Sequence, residues 1–356
     1  MITLGDLILK YPNKDWHWGS LSRSSFITWD FVKSNLELPW IWECMSVNPN
    51  VTCEVIEANL DSPWDWRWMS MNPNITWEFI SRHLDEDWDW FALCRHPNIT
   101  PEIVYNSTKI LDNKSFGWSW EGLSLNKNFT SDIIEKNINK PWDWTALSKR
   151  EDITAELIFN HLDKKWDFKS VGYNPHITWD MIVANPTIPW NWSAVSMKSS
   201  VTWDIIISNE SIKWDWENLS QNPNITWGVV AENLQRPWNW HYLTFNTSIK
   251  LCDIENNINA PWNWRSMSLR KDLTWDFIKK YKNKSWDWEG LSYHNNITWN
   301  TISSNPNMKW DWLCVSCNPN LTWKIVYDNP NIEWDWECLS ENPMDQPHKL
   351  QLTGNI

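Results

Sequence analysis

The chain has 356 residues, of which 31 are Lys or Arg and 44 are Asp or Glu, so its formal net charge is −13. This acidic balance disfavours DNA and anionic lipid as partners, because Lys and Arg drive phosphate binding. A hydrophobic content of 42% excludes a chain disordered by composition, and the 36 Trp against 8 Gly disfavour β-helices and Gly-rich propellers.

The first fifteen residues predict an N-terminal capping half-repeat, with Leu7 and Ile8 facing inward. They lack a basic stretch followed by a long apolar run, so we expect no secretory signal peptide. No window reaches 18 uninterrupted apolar residues, and the seven Cys are scattered and odd in number. These features predict an intracellular protein that is neither secreted nor transmembrane.

From residue 16 to residue 340 the chain is one continuous array of Trp-x-Trp units. Twelve of the thirteen intervals between units are 24 residues long, and a regular period of this kind predicts a solenoid. The fourteen units begin at Trp16, Trp40, Trp64, Trp88, Trp118, Trp142, Trp166, Trp190, Trp214, Trp238, Trp262, Trp286, Trp310 and Trp334.

Each unit reads W-D-W-x-x-L-S-x-N-P-N-I-T-W-E-x-I-x-x-N-x-x-x-P, numbered from its first Trp. Thr at position 13 is a good helix N-cap, and the apolar residues at 12 and 17, such as Ile75 and Ile80, form a hydrophobic staple. Positions 14–20 therefore predict a two-turn helix. Asp or Asn at position 2 predicts the cap of a shorter 3₁₀ or α turn over positions 3–7. The Asn-Pro-Asn at positions 9–11 predicts the turn between them.

The predicted fold is an all-α, elongated solenoid or superhelix of about fourteen such repeats. Neither helix is long enough to be stable alone, so each repeat must bury its apolar positions against its neighbours. Residues 341–356 leave the pattern and predict a C-terminal non-repeat tail.

At this point the phrase Leu219-Ser220-Gln221-Asn222-Pro223-Asn224 resembles the leucine-rich variant repeat. That family also has 24-residue units, which stack α and 3₁₀ helices alternately into a right-handed superhelix. The Trp residues at positions 1, 3 and 14 depart from it, and no Cys precedes Cys44 to suggest the iron–sulfur cluster of one member type. The Trp-Asp-Trp and Asn-Ile-Thr-Trp phrasing also resembles repeat proteins of mimivirus-like giant viruses. That likeness implies a viral protein of the host cytoplasm, viral factory or virion.

The tryptophans are the first candidates for a binding role. Position 1 is Trp in all fourteen units, which favours packing between repeats. Position 14 is more variable and opens a helix, so it could line a binding face. The candidate partner-binding residues there are Trp29, Trp77, Trp179, Trp203, Trp227, Trp275, Trp299 and Trp323.

The single long interval, from Trp88 to Trp118, holds an insertion within residues 107–117. Insertions in solenoids project from one face and often bind partners, although a tolerated surface loop is the alternative interpretation. The candidate residues within it are Lys109, Ile110, Leu111, Lys114 and Phe116.

Other motifs favour structural roles. One Asp per repeat is spaced too widely to share a proton or a metal ion, so capping is expected. Cys314 and Cys317 lack the second pair that a zinc ribbon needs, and the eight His show no metal-ligand spacing. The Asn-x-Ser/Thr sequons belong to the turn and cap of the unit and are expected to carry no glycan.

No nucleophile elbow or phosphate loop occurs, so we expect neither catalysis nor a cofactor. The predicted function is a non-catalytic scaffold that mediates protein–protein interaction. Two alternatives remain open: an aromatic ladder that binds single-stranded nucleic acid or glycan, and a structural component of a virion. The acidic charge counts against nucleic acid.

Overall fold

A computed structural model of the protein describes residues 2–111, 117–342 and 344, with the side chains of 108–111 excluded. Within this part of the chain every element is an α-helix, and 28 helices follow one another without a strand. The predicted all-α solenoid of short repeats is confirmed.

The first helix of each repeat starts at position 3 and has four to six residues. This series comprises α2 (Trp18–Arg23), α4 (Trp42–Met45), α6 (Trp66–Met69), α8 (Trp90–Arg95), α10 (Trp120–Leu125), α12 (Trp144–Ser148), α14 (Phe168–Val171), α16 (Trp192–Met197), α18 (Trp216–Leu219), α20 (Trp240–Phe245), α22 (Trp264–Met267), α24 (Trp288–Ser292), α26 (Trp312–Ser316) and α28 (Trp336–Glu341).

The second helix starts at position 14, after the predicted Thr cap. Thr28 illustrates the cap, because its hydroxyl accepts from the Phe31 N–H at 3.3 Å. The series comprises α3 (Trp29–Lys33), α5 (Cys53–Glu57), α7 (Trp77–Arg82), α9 (Pro101–Leu111), α11 (Ser131–Lys136), α13 (Ala155–Asn160), α15 (Trp179–Ala184), α17 (Trp203–Ser208), α19 (Trp227–Glu232), α21 (Leu251–Asn256), α23 (Trp275–Lys280), α25 (Trp299–Ser303) and α27 (Trp323–Asp328), to which the N-terminal α1 (Leu4–Lys10) adds a member.

The core consists of the apolar residues at positions 6, 12 and 17 of the described repeats. Leu21, Ile27 and Val32 illustrate it in the first repeat, where each is at most 1% exposed. The staple pair Ile75 and Ile80 is likewise fully buried. Burial of this set against neighbouring repeats supplies the stability that helices of four to six residues lack by themselves.

Polar side chains at positions 7 and 9 join one repeat to the next. The hydroxyl at position 7 donates to a carbonyl of its own helix and accepts a hydrogen bond from the position-2 N–H of the following repeat. Ser148 does so with Trp144 at 2.7 Å and with Asp167 at 2.9 Å. The serine at position 7 therefore links its repeat to the next by a hydrogen bond.

Position 9 is a buried donor that reaches back into the turn of the preceding repeat. The Asn222 amide donates to the carbonyls of Ser196 at 2.8 Å, Lys198 at 3.0 Å and Val201 at 3.3 Å. Where Asn is replaced, His96, Arg150 and Lys198 direct a nitrogen to the same turn. The Asn, His, Arg and Lys side chains at this position therefore satisfy carbonyls that the turn leaves free.

The sequon asparagines at position 11 make a related bond. Asn50 Nδ2 donates to the carbonyls of Ser25 at 2.8 Å and Ile27 at 3.0 Å, so its amide nitrogen is already engaged. The same geometry recurs at Asn98, Asn128, Asn224, Asn296 and Asn320. These sequons are junction residues, and a glycan on them would break the contact between repeats.

The chain divides into two compact units. Unit 1 comprises Met1–Trp68 and Asn263–Ile356, and unit 2 comprises Met69–Trp262. Unit 1 thus contains residues from both ends of the sequence.

Inside unit 1, the first repeat packs on the last one. Helix α2 contacts α28, and α1 contacts α27. The His17 N–H donates to Ser340 Oγ at 3.0 Å, which is the position-2 to position-7 bond of the other repeats. We call this contact between residues 2–26 and residues 323–341 the terminal junction. The sequence predicts α1 as the cap of a chain end, whereas the structure places a repeat on its other side.

Candidate functional site

The position-1 tryptophans are packing residues, as the sequence predicts. Thirteen of them are at most 8% exposed. Each of these indoles donates Nε1–H to the backbone carbonyl five residues earlier, as Trp40 does to Asn35 at 2.9 Å. The buried indole is therefore fully satisfied and closes the loop between two repeats.

The position-14 tryptophans lie against this buried set. Trp29, for example, has its ring 6.4 Å from Trp42 of the next repeat and 5.3 Å from Trp64 of the repeat after that. Trp203, Trp216 and Trp238 form the same three-ring cluster in unit 2. Seven of the eight candidates are half-buried, and Trp323 is buried. Each of the eight position-14 rings contacts at least one other aromatic ring.

The side chains of the candidates in the insertion lie outside the described part of the structure. Lys109, Ile110 and Leu111 belong to α9, but their side chains lie outside the described residues, as do Lys114 and Phe116. Next to the insertion the indole of Trp118 is half-buried and donates to Ser107 Oγ at 2.9 Å in place of a backbone carbonyl.

The Asp residues at position 2 act as helix caps. Asp89 accepts from the Phe91 and Ala92 N–H groups, both at 3.0 Å, as expected for position 2. The same Asp capping bond is made by Asp65, Asp143, Asp167, Asp215, Asp311 and Asp335. Burial and the Asp311 carboxylate raise the pKa of Cys314 to about 12, so this thiol stays protonated at neutral pH and is a poor nucleophile. Within the described residues no three His, Cys, Asp or Glu side chains are placed to hold one metal ion.

A different row of side chains is open to solvent. Position 8, at the end of the first helix, is apolar in most repeats and faces outward. In unit 2, Met71 is 51% exposed and Tyr173 is 58% exposed, while unit 1 exposes Leu269 and Tyr293. We call these position-8 side chains the outer row. The sequence does not single out this row, because position 8 is also Arg, Lys, Gln or Glu in five of the fourteen units.

A cleft opens along the outer row in unit 2, between α8, α10 and the turns that follow them. It has a volume of about 430 Å³. Met71, Leu125 and Ala92 supply its apolar lining, and its polar lining includes Arg95 and Lys127. The cleft is therefore half apolar and carries two cations on a chain whose net charge is negative.

The charges of this cleft are unbalanced. No carboxylate lines it. Arg95 extends over the Phe91 ring at 5.8 Å, which leaves its guanidinium N–H groups available. The nearby Asp152 is engaged by the Arg150 guanidinium at 2.6 Å. Burial lowers the pKa of the His96 imidazole, so the ring at the cleft floor is neutral.

No family model, no curated protein and no solved structure matches this chain. No helix among the described residues is long and apolar enough to cross a bilayer. The fold is thus known from its own geometry, and the resemblance to the leucine-rich variant repeat stays an expectation.

Proposed function

We propose that this protein is a non-catalytic scaffold that binds partner proteins through the outer row, with the cleft of unit 2 as the anchor point. The observation that carries the proposal is the cleft itself, where exposed Met71 and half-buried Leu125 lie beside Arg95 and Lys127 without a carboxylate in the lining. A segment that combines an acidic residue with an apolar side chain complements both features.

The three-ring clusters support this choice over an aromatic ladder for nucleic acid or glycan. Such binders need ring faces that bases or sugars can stack on. The position-14 rings lie 5–7 Å from other rings and are at least half-buried, so neighbouring rings cover part of the surface on which a base or sugar would stack.

Selection from a phage-displayed library of short random peptides tests the proposal. We expect enriched peptides to carry Asp or Glu near an apolar residue, and a fluorescein-labelled peptide of that sequence to bind the full chain. The Arg95→Glu, Lys127→Glu double variant should weaken this binding by about 10-fold or more, because a like charge replaces each partner.

A double variant with the same change in net charge is the matched control. Lys271→Glu lies at the same repeat position as Lys127 but in unit 1, and it is combined with Lys213→Glu. This control should keep the wild-type affinity. Equal loss in both double variants, or failure to enrich any acidic peptide, would refute the cleft as a binding site.

A further inference from the structure

The terminal junction makes a second contact surface available, independent of the cleft. Helix α28 is the first helix of the last repeat and ends at Glu341. Helix α1 contacts α27, the second helix of the preceding repeat. The N-terminal segment therefore lies beside α27 as the next second helix of the array would.

The backbone connections of this junction follow the rule of the other repeats. The Trp16 indole donates to the Tyr11 carbonyl at 3.0 Å, as the other position-1 indoles donate to position 20. The His17 N–H donates to Ser340 Oγ at 3.0 Å, against 2.9 Å for Asp65 and Ser46. The surface on α27 and α28 thus recognises α1 and α2 by the general geometry of one repeat on another.

The Trp336 ring lies 4.8 Å from Trp16 and 5.1 Å from Tyr11, and inside the array Trp264 likewise lies 5.2 Å from Trp286 and 5.7 Å from Tyr281. Two further contacts are specific to the chain ends. Lys10 Nζ lies 3.2 Å from the centre of the Tyr327 ring, and Ser20 donates to the Glu341 carboxylate at 2.8 Å. These contacts select the N-terminal segment over any internal repeat.

No peptide bond crosses the terminal junction, since its two sides are the opposite ends of the sequence. We propose that the junction also forms between two copies of this chain, with residues 2–26 of each copy docked on α27 and α28 of the other. The contacts across the junction are the same in both arrangements, as in domain swapping. Intramolecular contact is favoured at low protein concentration, and exchange between copies is favoured when chains fold at high concentration.

Refolding of the full chain at two concentrations tests this exchange. The protein is unfolded in guanidinium chloride, refolded at low and at high concentration, and measured by size-exclusion chromatography with light scattering. We expect monomer at low concentration and a dimer fraction that rises several-fold at high concentration.

A covalent lock identifies the surface that exchanges. The residue-17 nitrogen and Ser340 Oγ are 3.0 Å apart, which places the two Cα atoms within about 7 Å, the upper limit of disulfide reach. The His17→Cys, Ser340→Cys variant is oxidised before unfolding, and the bond is verified by peptide mass spectrometry. It should yield no dimer at high concentration, and reduction with dithiothreitol should restore the dimer.

The matched control locks an internal junction. Asp65→Cys with Ser46→Cys joins the same two repeat positions, since the Asp65 N–H also donates to its Ser partner, but leaves the N-terminal segment free to exchange. This variant should dimerise as wild type does. Absence of dimer from wild type at every concentration, or dimer formation that the 17–340 lock leaves unchanged, would overturn the proposal.

A measurement on wild type alone complements the locked variants. Tagged and untagged copies refolded together at high concentration should be recovered together on the tag, whereas copies refolded separately and then mixed should not. Recovery of the untagged copy after simple mixing would show association without exchange and would also overturn the proposal.

Discussion

The internal junctions and the terminal junction share two hydrogen bonds, one from the position-1 indole to a carbonyl and one from the position-2 N–H to the position-7 serine. They differ in the side chains at positions 9 and 11. Inside the array, position 9 places an amide such as Asn222 against three carbonyls of the preceding repeat. At the terminal junction position 9 is Ser24, whose hydroxyl accepts from the Phe26 N–H, and the described structure shows no bond from it to the last repeat. Phe26 at position 11 lies 5.9 Å from the Trp323 ring, whereas most internal junctions have an asparagine at this position.

Both kinds of junction share certain contacts, and these define the packing of one repeat on the next. These contacts are the hydrogen bond from the position-2 N–H to the position-7 serine and the contact between a position-3 Trp and the next position-1 Trp. Among the described residues the buried amides occur only at the internal junctions, while Lys10 over the Tyr327 ring is a contact particular to the two chain ends. The terminal junction therefore lacks the amide contacts that satisfy buried carbonyls at the internal junctions.

Removal of one buried indole should separate the two kinds most clearly. Trp16→Ala and Trp238→Ala each delete a Trp that is at most 7% exposed, at an expected cost of about 3–5 kcal/mol. Hydrogen exchange of Trp16→Ala should rise in α1, α2, α27 and α28 alone. In Trp238→Ala the rise should centre on α18 to α21, and a uniform rise in both variants would contradict the distinction.

Loss of the position-9 amide should matter only inside the array. Asn222→Ala leaves buried carbonyls without a donor and should lower the free energy of unfolding by about 2–4 kcal/mol. Ser24→Ala, the same position at the terminal junction, should cost about 0.5 kcal/mol or less. Denaturant titrations compare the free energies of unfolding of the two variants. Equal losses would show that the position-9 amides do not stabilise the internal junctions.

Lys198 stands at position 9 of an internal junction, where most repeats have Asn. Replacing it with Asn should raise the stability of the protein. Its ammonium is buried with one hydrogen bond, to the Asn174 carbonyl at 2.8 Å, and burial lowers its pKa from 10.5 to about 8. Lys198→Asn should therefore raise the free energy of unfolding by about 1–3 kcal/mol at neutral pH.

The pH dependence of that gain follows from linkage. Because the folded pKa is lower than the unfolded one, stability of the wild type is recovered only as pH rises from about 8 through 10.5. The advantage of Lys198→Asn should shrink over this window. An advantage that is constant with pH would mean that the charge of Lys198 has no part in it.

The two histidines at position 9 should give the smallest effect, at acid pH. His96 Nδ1 accepts from the Asn98 N–H at 3.1 Å, and His294 Nδ1 accepts from the Asn296 N–H at 3.1 Å. Burial lowers both pKa values below 6.5, so their stabilisation is complete above 6.5 and is lost as pH falls through the folded pKa. His96→Asn with His294→Asn should gain about 1 kcal/mol near pH 5 relative to pH 8, measured by thermal unfolding.

The repeat pattern predicted most of the fold because each fixed position has a local reason. Thr28 as N-cap, Ile75 with Ile80 as staple and Trp40 as packing residue all follow from spacing within 24 residues. The terminal junction could not be predicted, because it joins Trp16 to Trp336 across the whole chain and depends on the small rotation between repeats. The outer row was missed for a different reason: Met71 and Tyr173 differ in kind, and only their shared exposure unites them.

The perpendicular tryptophan pairs have an optical consequence. Rings of Trp216 and Trp238 lie 5.1 Å apart at 80°, and Trp240 and Trp262 lie 5.3 Å apart at 78°. Indoles this close exchange electronic excitation faster than they emit light, so absorbed energy migrates among the rings of unit 2 and its polarisation is lost. The same side chains that hold the repeats together thus make low fluorescence anisotropy a built-in reporter of correct stacking.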